Sequence, residues 1–463
     1  VRVNAAARHT AVALAAFLAA GPALAQPFGL SRAAFRANTY ATGDQRRPAV
    51  AVDSTGAFLI VWNDAGLDGN GSGIFAKRYT NQGTPIGAFN IEFQLNTYTT
   101  GAQYGPAVAA IGTGTYVVAW TSTGQDNSGN EVYAQRWGTT GMLGAEFRVN
   151  TETFASQAYP AVAVDGTGNF VIAWRDDGYV GAQRFSSAGA RQGAAYRTGS
   201  GQASLVTVAR SSGGDFVIAW FDGADYSNVH GQRYSATGAP AGAEFVLNNF
   251  GGTDYTRPIT SAWGPNGFVV AWGLEGASAG QYNVWAARFS PAGAPIGVEY
   301  RLNTLTGNAR DPEIAMDSTG AFVVAWTAYP GATLEAFARR FTAAGAPIGA
   351  EFRVNTYTTG NQAVPAIATS PSGRFMIAWQ SQLEDGHGYG IFAQAACQHL
   401  AGDATGNGAI DISDVFYLIN NLFAGGPAPV HNGDANGDGT VDISDVFYLI
   451  NYLFAGGPGP ACA

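Results

Sequence analysis

Charge is scarce in this chain of 463 residues: Asp, Glu, Lys and Arg make up 12%, against 46% hydrophobic residues. The 24 basic residues are outnumbered by 33 acidic ones, the formal net charge is −9, and no Lys/Arg-rich run occurs. That balance argues against nucleic acid as a partner. The five histidines, His9, His230, His387, His399 and His431, are scattered. No His-x-x-x-His pair, Gly-x-Ser-x-Gly elbow or phosphate-binding loop appears, so the chemistries built on those motifs lack their signature. Only two cysteines occur, Cys397 and Cys462. Beyond the first 25 residues no stretch is apolar for the ~20 residues that a membrane-crossing helix needs.

Glycine, by contrast, is abundant at 63 residues, and it punctuates a phrase that repeats. Seven strands end in a marker tryptophan: Trp62, Trp120, Trp174, Trp220, Trp272, Trp326 and Trp379, spaced 46 to 58 residues apart. Phe322-Val-Val-Ala-Trp326 is typical. A shorter apolar run precedes most copies, as in Pro48-Ala-Val-Ala-Val52, and a turn such as Asp53-Ser-Thr-Gly56 joins the two. Glycine there supplies the positive φ of a tight hairpin. A variable loop, a third strand such as Ile74-Phe-Ala-Lys-Arg-Tyr79 and a fourth such as Phe352-Arg-Val-Asn-Thr356 complete the unit. Four short strands make one small antiparallel sheet, and radial stacking of such sheets covers both faces. The fold class expected is therefore mainly β, a seven-bladed β-propeller. The seventh copy has Ile391-Phe-Ala-Gln394 but no fourth strand, whereas Phe35-Arg-Ala-Asn-Thr39 precedes the first copy. The N-terminal strand is expected to complete the last blade and close the ring, since a linear array would leave unpaired edges.

Arg2, Arg8 and His9 precede the apolar run Ala11–Ala20, and Ala23-Leu-Ala25 fits a cleavage site before Gln26. Residues 1–25 read as a signal peptide, which makes the mature chain exported, secreted or held at the cell surface, with no membrane span after its removal. The propeller is assigned to residues 26–396. Its marker tryptophans read as packing between blades, with sugar-stacking platforms as the alternative. The recurring Gln135-Arg136, Gln183-Arg184, Gln232-Arg233 and Arg339-Arg340 pairs read as structural, with arginine bonding to carbonyls or to a turn Asp. The loops at 64–72, 121–128 and 380–387 vary most, and loops on rigid scaffolds carry specificity for a glycan or protein ligand. Copies four and five depart furthest, with Phe221–Asp225 and an extra Trp263. The unit resembles repeats of large secreted and surface bacterial proteins, and its Asp-turn-Gly-Phe-x-x-x-Trp core resembles the Asp-box of sialidase-like propellers, without the Thr before Trp. The arginine cluster, Tyr and acids of sialidase chemistry do not assemble here.

The period changes at about residue 397. Asp403–Asp414 and Asp434–Asp445 are two twelve-residue loops, each followed by an apolar segment, Val415–Phe423 and Val446–Phe454, in halves 31 residues apart. Calcium takes six to eight oxygens from positions 1, 3, 5, 7, 9 and 12 of such a loop. In the second loop these are Asp434, Asn436, Asp438, the carbonyl of Thr440, Asp442 and Asp445. In the first they are Asp403, Thr405, Asn407, the carbonyl of Ala409, Asp411 and Asp414; Thr405 and Asn407 predict a weaker site. Two calcium ions are expected. The order loop–helix–linker–loop–helix, with Asp at position 12 and no helix before each loop, resembles a type I dockerin. That resemblance implies a small α-helical two-calcium domain, residues 397–463, that docks onto a cohesin-type protein. It also implies that positions 10 and 11, here Ile412, Ser413, Ile443 and Ser444, and exposed residues of the helix meet the partner. The usual Lys/Arg of the helix is replaced by Asn420-Asn421 and Asn451-Tyr452. The internal symmetry allows two docking orientations. A calcium-stabilised end cap on the propeller is the alternative. Cys397 and Cys462 bracket the segment, and an exported chain with two thiols is expected to pair them.

No catalytic residue is assigned. Paired loop carboxylates stay available for glycoside hydrolysis, because a propeller brings distant acids together. The function expected is an exported, non-catalytic binding or scaffold protein. A polysaccharide-degrading enzyme, glycoside hydrolase or lyase, and a structural surface protein are the alternatives.

Overall fold

The computed structural model describes residues 34–457 apart from 88–91, 127–128, 224–227, 249–255, 276–280, 305–307, 371–372, 398–400, 407–409, 431–432, 437 and 439. The signal-peptide reading of residues 1–25 lies outside the described residues, as do Cys462 and the Cys397 side chain of the expected disulfide. The chain divides into two compact units, one within 32–398 and one that includes 399–463.

The first unit is a seven-bladed β-propeller of seven antiparallel sheets. In the first blade Gln45–Val52, Phe58–Ala65 and Ser72–Tyr79 pair in sequence order, and Pro85–Ile86 and Phe93–Gln94 both pair with the third strand. The first strands of successive blades pack against one another all the way round, with Gln362–Thr369 against Gln45–Val52, so they line a central channel. The seventh sheet takes its outer strand from the start of the chain. Phe35 pairs with Ala393 and Arg36 with Phe392, and the Ala37 N–H donates to the Ile391 carbonyl at 2.7 Å.

The continuous apolar run before each tryptophan is explained by two-sided burial. Phe58, Ile60 and Trp62 join Met376, Ala378 and Ile391 of the seventh blade. Leu59 and Val61, on the other face of the same strand, join Tyr116, Val118 and Trp120 of the second. All seven marker tryptophans are at most 3% exposed. They are interblade packing and offer no platform to a sugar.

Two features repeat around the ring beyond the sheets. The pairing register slips in the first strand of each of the seven blades, as between Arg46 and Ala49, and a second time in the second blade between Ala110 and Gly112. The extra residue takes positive φ at Arg47, Tyr159, Leu205, Asp311 and Val364. Such a bulge bends the strand and re-aims its side chains. The Tyr159 N–H is accepted by Thr121 of the preceding blade at 2.9 Å, and the Val364 N–H by Thr327 at 3.0 Å.

The second feature is an arginine latch. Arg136 Nη1 donates to the Ser187 carbonyl at 3.1 Å and Arg184 Nη1 to the Ala236 carbonyl at 2.8 Å, each in the turn after the third strand of the next blade. Arg233 and Arg288 make the same contact with the carbonyls of Ala292 and Ala344. The turn glycine, Gly238 for example, has φ +89, and a Cβ there would stand 2.6 Å from Arg184 Nε. Arginine thus bonds to carbonyls of a neighbouring turn, and the adjoining glutamine spans its own blade: Gln183 Nε2 donates to the Arg184 and Gly193 carbonyls.

In the second unit α1, Ile412–Ala424, and α2, Ile443–Ala455, have equivalent ends. Asp411 and Asp442 are N-caps, and Gly425 and Gly456 close the helices in the left-handed conformation at φ 69 and 70. Val415, Leu418, Val446 and Leu449 are buried.

Candidate metal centre and docking face

The loops and helices of the second unit are built from shared residues. Asp445, fully buried, accepts the N–H groups of Ala435 at 2.7 Å and Asn436 at 3.1 Å through Oδ1, and that of Asp442 at 2.9 Å through Oδ2. Asp414 repeats this in the first loop: Oδ1 accepts the Thr405 N–H and hydroxyl at 3.0 and 2.9 Å, and Oδ2 the Asp411 N–H at 2.9 Å. Asp411 and Asp442 accept the N–H groups of Ser413 and Ser444, both at 2.7 Å. Positions 9 and 12 of each loop are therefore also the two halves of a capping box, the N-cap and the third helical residue. An aspartate at position 12 serves both loop and helix.

Around this frame Asp434 Oδ1 and Asn436 Oδ1 accept the Asp438 N–H, at 3.1 and 2.9 Å. Asp438 Oδ1 accepts the Thr440 N–H and hydroxyl at 2.9 and 2.7 Å. Those hydrogen bonds hold the Asp438 carboxyl below its usual range, and the Ser444 hydroxyl and N–H do the same for Asp442. Burial pushes Asp414 up, against the bonds from Asp411 and Thr405. Asn407 and Ala409 of the first loop lie outside the described residues. Among the described residues no three His, Cys, Asp or Glu side chains are gathered as a metal group.

The donor set nonetheless fits a hard divalent cation. From residue 399 to 463 the chain has seven aspartates and no Lys or Arg. Asp403, Asp414, Asp434 and Asp445 are all buried. Buried carboxylates need a compensating charge, and the segment has no lysine or arginine to provide it. Aspartate, asparagine and threonine oxygens at these spacings match the preference of calcium.

Each helix also leaves an apolar stripe in solvent. Ile412, Phe416, Ile419 and Phe423 are exposed on α1, and Ile443, Phe447, Ile450 and Phe454 on α2; Phe416 is 63% exposed and Phe447 64%. Ser413 and Ser444 lie next to the isoleucines. Positions 10 and 11 of each loop thus stand at the start of a stripe one helical face wide. The phenylalanines were not singled out from the sequence, although the spacing of three to four residues was there to read.

Residues 401–454 match the family model of the dockerin type I domain. Dockerin type I domains bind calcium and attach to cohesins, and the proteins that carry them are typically extracellular or at the cell surface. No helix among the described residues is long and apolar enough to cross a membrane. No curated protein matches the chain. Among solved structures, a protein of unknown function from Dyadobacter fermentans is similar over 80% of this chain and 100% of its own, at 11% identity and a TM-score of 0.49. The β-propeller domain of the Trilobed protease from Pyrococcus furiosus is similar over 78% and 97%, at 8% identity and a TM-score of 0.44.

On the propeller the recurring turn aspartates are committed to structure. Asp53 Oδ1 accepts the Thr55 N–H and hydroxyl at 2.8 and 2.6 Å, while its Oδ2 accepts the Gly114 N–H of the next blade at 2.8 Å. Asp317 binds Thr319 the same way. These turns, with Trp263 and Met316, ring a cavity of about 800 Å³ at one mouth of the channel. Two acids of the sixth blade stand apart from this pattern. Glu313 lies on a channel-lining strand and accepts the Thr260 hydroxyl at 3.1 Å, and desolvation by the surrounding protein pushes its carboxyl up. Asp311, at the bulge, is raised by burial as well.

Proposed function

We propose that the chain is an exported binding or scaffold protein in which the propeller, residues 26–396, is displayed by a calcium-loaded module, residues 397–463, docked on a cohesin-type partner. The carrying observation is the pair of exposed apolar stripes, each rooted in a capping box that is also part of a calcium loop. Metal binding would draw in Asp403, Thr405, Asn407, the Ala409 carbonyl, Asp411 and Asp414 at one site, and Asp434, Asn436, Asp438, the Thr440 carbonyl, Asp442 and Asp445 at the other. Two divalent ions would then offset most of the charge of the seven carboxylates and lock the first turn of α1 and α2, presenting Ile412, Ser413, Phe416 and their counterparts Ile443, Ser444, Phe447. Cleavage after residue 25 would release the exported chain, and a Cys397–Cys462 bond would tie the ends of the module together. The propeller's loops would take a glycan or protein ligand without chemistry.

A second reading, a polysaccharide-degrading enzyme, rests on Asp311 and Glu313, because a carboxyl raised above its usual range suits a general acid. The test of the first reading is a pull-down from the native secretome with and without calcium. A cohesin-containing protein recovered only with calcium is expected; equal recovery in both arms overturns it.

A further inference from the structure

One position breaks the propeller's repeat with a charge. In four blades the last residue of the channel-lining strand pairs with the first aromatic of the second strand: Val52 with Phe58, Val164 with Phe170, Met316 with Phe322, Thr369 with Phe375. In the fourth blade that residue is Arg210, paired with Phe216. Its side chain is 2% exposed. Nη2 meets Asp165 Oδ2 of the third blade at 2.9 Å and Nε donates to the Gly214 carbonyl at 3.0 Å. Nη1 is buried without a hydrogen-bond partner. A buried guanidinium N–H left open is costly, so such a group marks a place where something else accepts.

Arg210 lines a cavity of about 570 Å³ between the third and fourth blades, together with Arg184, Thr167, Asn169, Ser212 and Thr237. Burial pushes the Asp165 carboxyl up, but hydrogen bonds from Thr167 and the charge of Arg210 bring it below its usual range, so it stays ionised. Asp165 therefore cancels one arginine, and the lining keeps the positive charge of the other in a chain whose net charge is −9. The remaining wall offers hydroxyl and amide groups.

We infer that this cavity binds the oxyanion of an acidic sugar residue, with Arg210 Nη1 as the charged donor and the Thr, Ser and Asn side chains meeting ring hydroxyls. A planar guanidinium held by two existing bonds is pre-aimed, and charge-assisted hydrogen bonds to carboxylate or sulfate are the strong ones. The site lies on the face of the turns that follow first and third strands, opposite the variable loops. It uses nothing in the C-terminal module, so its failure and that of the docking reading are separate results.

The test is titration calorimetry of the full chain with digalacturonate, a sulfated disaccharide and neutral cellobiose, at low salt and at about 0.5 M NaCl, where screening is strong. Both or one of the acidic sugars should bind, their ranking identifying carboxylate or sulfate, while cellobiose gives no heat and salt weakens the binding. Arg210→Met, which installs the residue found at position 316, should weaken it by roughly tenfold or more. Because that change strands Asp165, Thr237→Asp serves as the second variant: it places a repelling carboxylate in an exposed turn away from the ion pair and should lose binding with an unchanged melting temperature. Binding of cellobiose equal to that of the acidic sugars, no heat from either acidic sugar, or full affinity in Thr237→Asp overturns the inference.

Discussion

Asn38 Oδ1 accepts the Ile391 backbone N–H at 2.8 Å, across 353 positions of sequence. The same bond holds every other fourth strand for which it is described: Asn96 to Ile74, Asn150 to Val132, Asn248 to Val229, Asn303 to Val284 and Asn355 to Ala336, all at 2.7 to 2.9 Å. Asn38 Nδ2 then donates to Gln45 of the first blade at 3.0 Å, as Asn96 does to Gln103. The start of the chain thus reproduces, atom for atom, the clasp used within the other blades. Asn38→Ala should leave the buried Ile391 N–H unpaired and cost about 1–3 kcal/mol. Urea unfolding midpoints of Asn38→Ala and Asn150→Ala check this. Equal losses mean the closing blade carries the same load as an interior one; no loss in Asn38→Ala would refute it.

The arginine latch predicts a contrast between two glycines. Gly238 and Gly386 both have φ +89, but a Cβ at Gly386 meets nothing within 4 Å, whereas at Gly238 it would collide with Tyr196 Oη and Arg184 Nε. Both alanine variants carry the left-handed strain of about 1–2 kcal/mol. Gly238→Ala should add about 1–3 kcal/mol of overpacking. Thermal melts of the two variants side by side provide the measurement.

Asp64 is fully buried, and burial raises its carboxyl from 3.8 to about 6. The folded state then holds this proton more tightly than the unfolded chain, so stability falls as pH rises from about 4 through about 6. Asp64→Asn should abolish that component and be more stable than the parent at pH 8, by up to roughly 3 kcal/mol. Denaturation at several pH values, compared as the difference between parent and variant, tests the slope; a difference independent of pH would contradict it.

Chelation should melt α1 and α2 while the propeller keeps its cooperative transition, because buried carboxylates without a cation repel and helix ends capped by Asp411 and Asp442 lose their frame. Circular dichroism with and without a calcium chelator, followed by a thermal scan, reads both units. A helical signal indifferent to the chelator would count against two calcium sites.

The two stripes predict redundancy. Phe416→Ser or Phe447→Ser alone should retain docking through the other face, and the double variant should lose it. Affinity for a cohesin-type partner in calcium distinguishes this from a single-faced surface, where one of the two changes alone would abolish binding.

Much of this architecture was written in short-range pattern. The marker tryptophans gave the period, and the displaced Phe35–Thr39 phrase pointed to the strand that the seventh sheet takes from the start of the chain. The dockerin-like segment was legible because its oxygen-bearing side chains recur at fixed spacing. What sequence pattern did not disclose depends on register. The bulge at Arg47 and its counterparts arises from how two strands slip past one another, and Arg210 looks unremarkable until it is aligned with Val52 and Met316 across blades. Phe416 and Phe447 do not stand out in the run Val-Phe-Tyr-Leu-Ile, which is apolar throughout. The structure sends valine and leucine inward and leaves phenylalanine outside.

The strand by which the chain leaves the propeller, Tyr389–Cys397, is not an edge: it lies between Arg374–Gln382 and the two-residue strand at Phe35–Arg36. A tension transmitted from a docked tail would therefore reach the disc through an interior strand, and peeling it away would first require the other end of the polypeptide to let go. Mechanical resilience of the tether and integrity of the ring are in this sense one property, governed by a few residues more than 350 positions from the point where the pull enters the propeller.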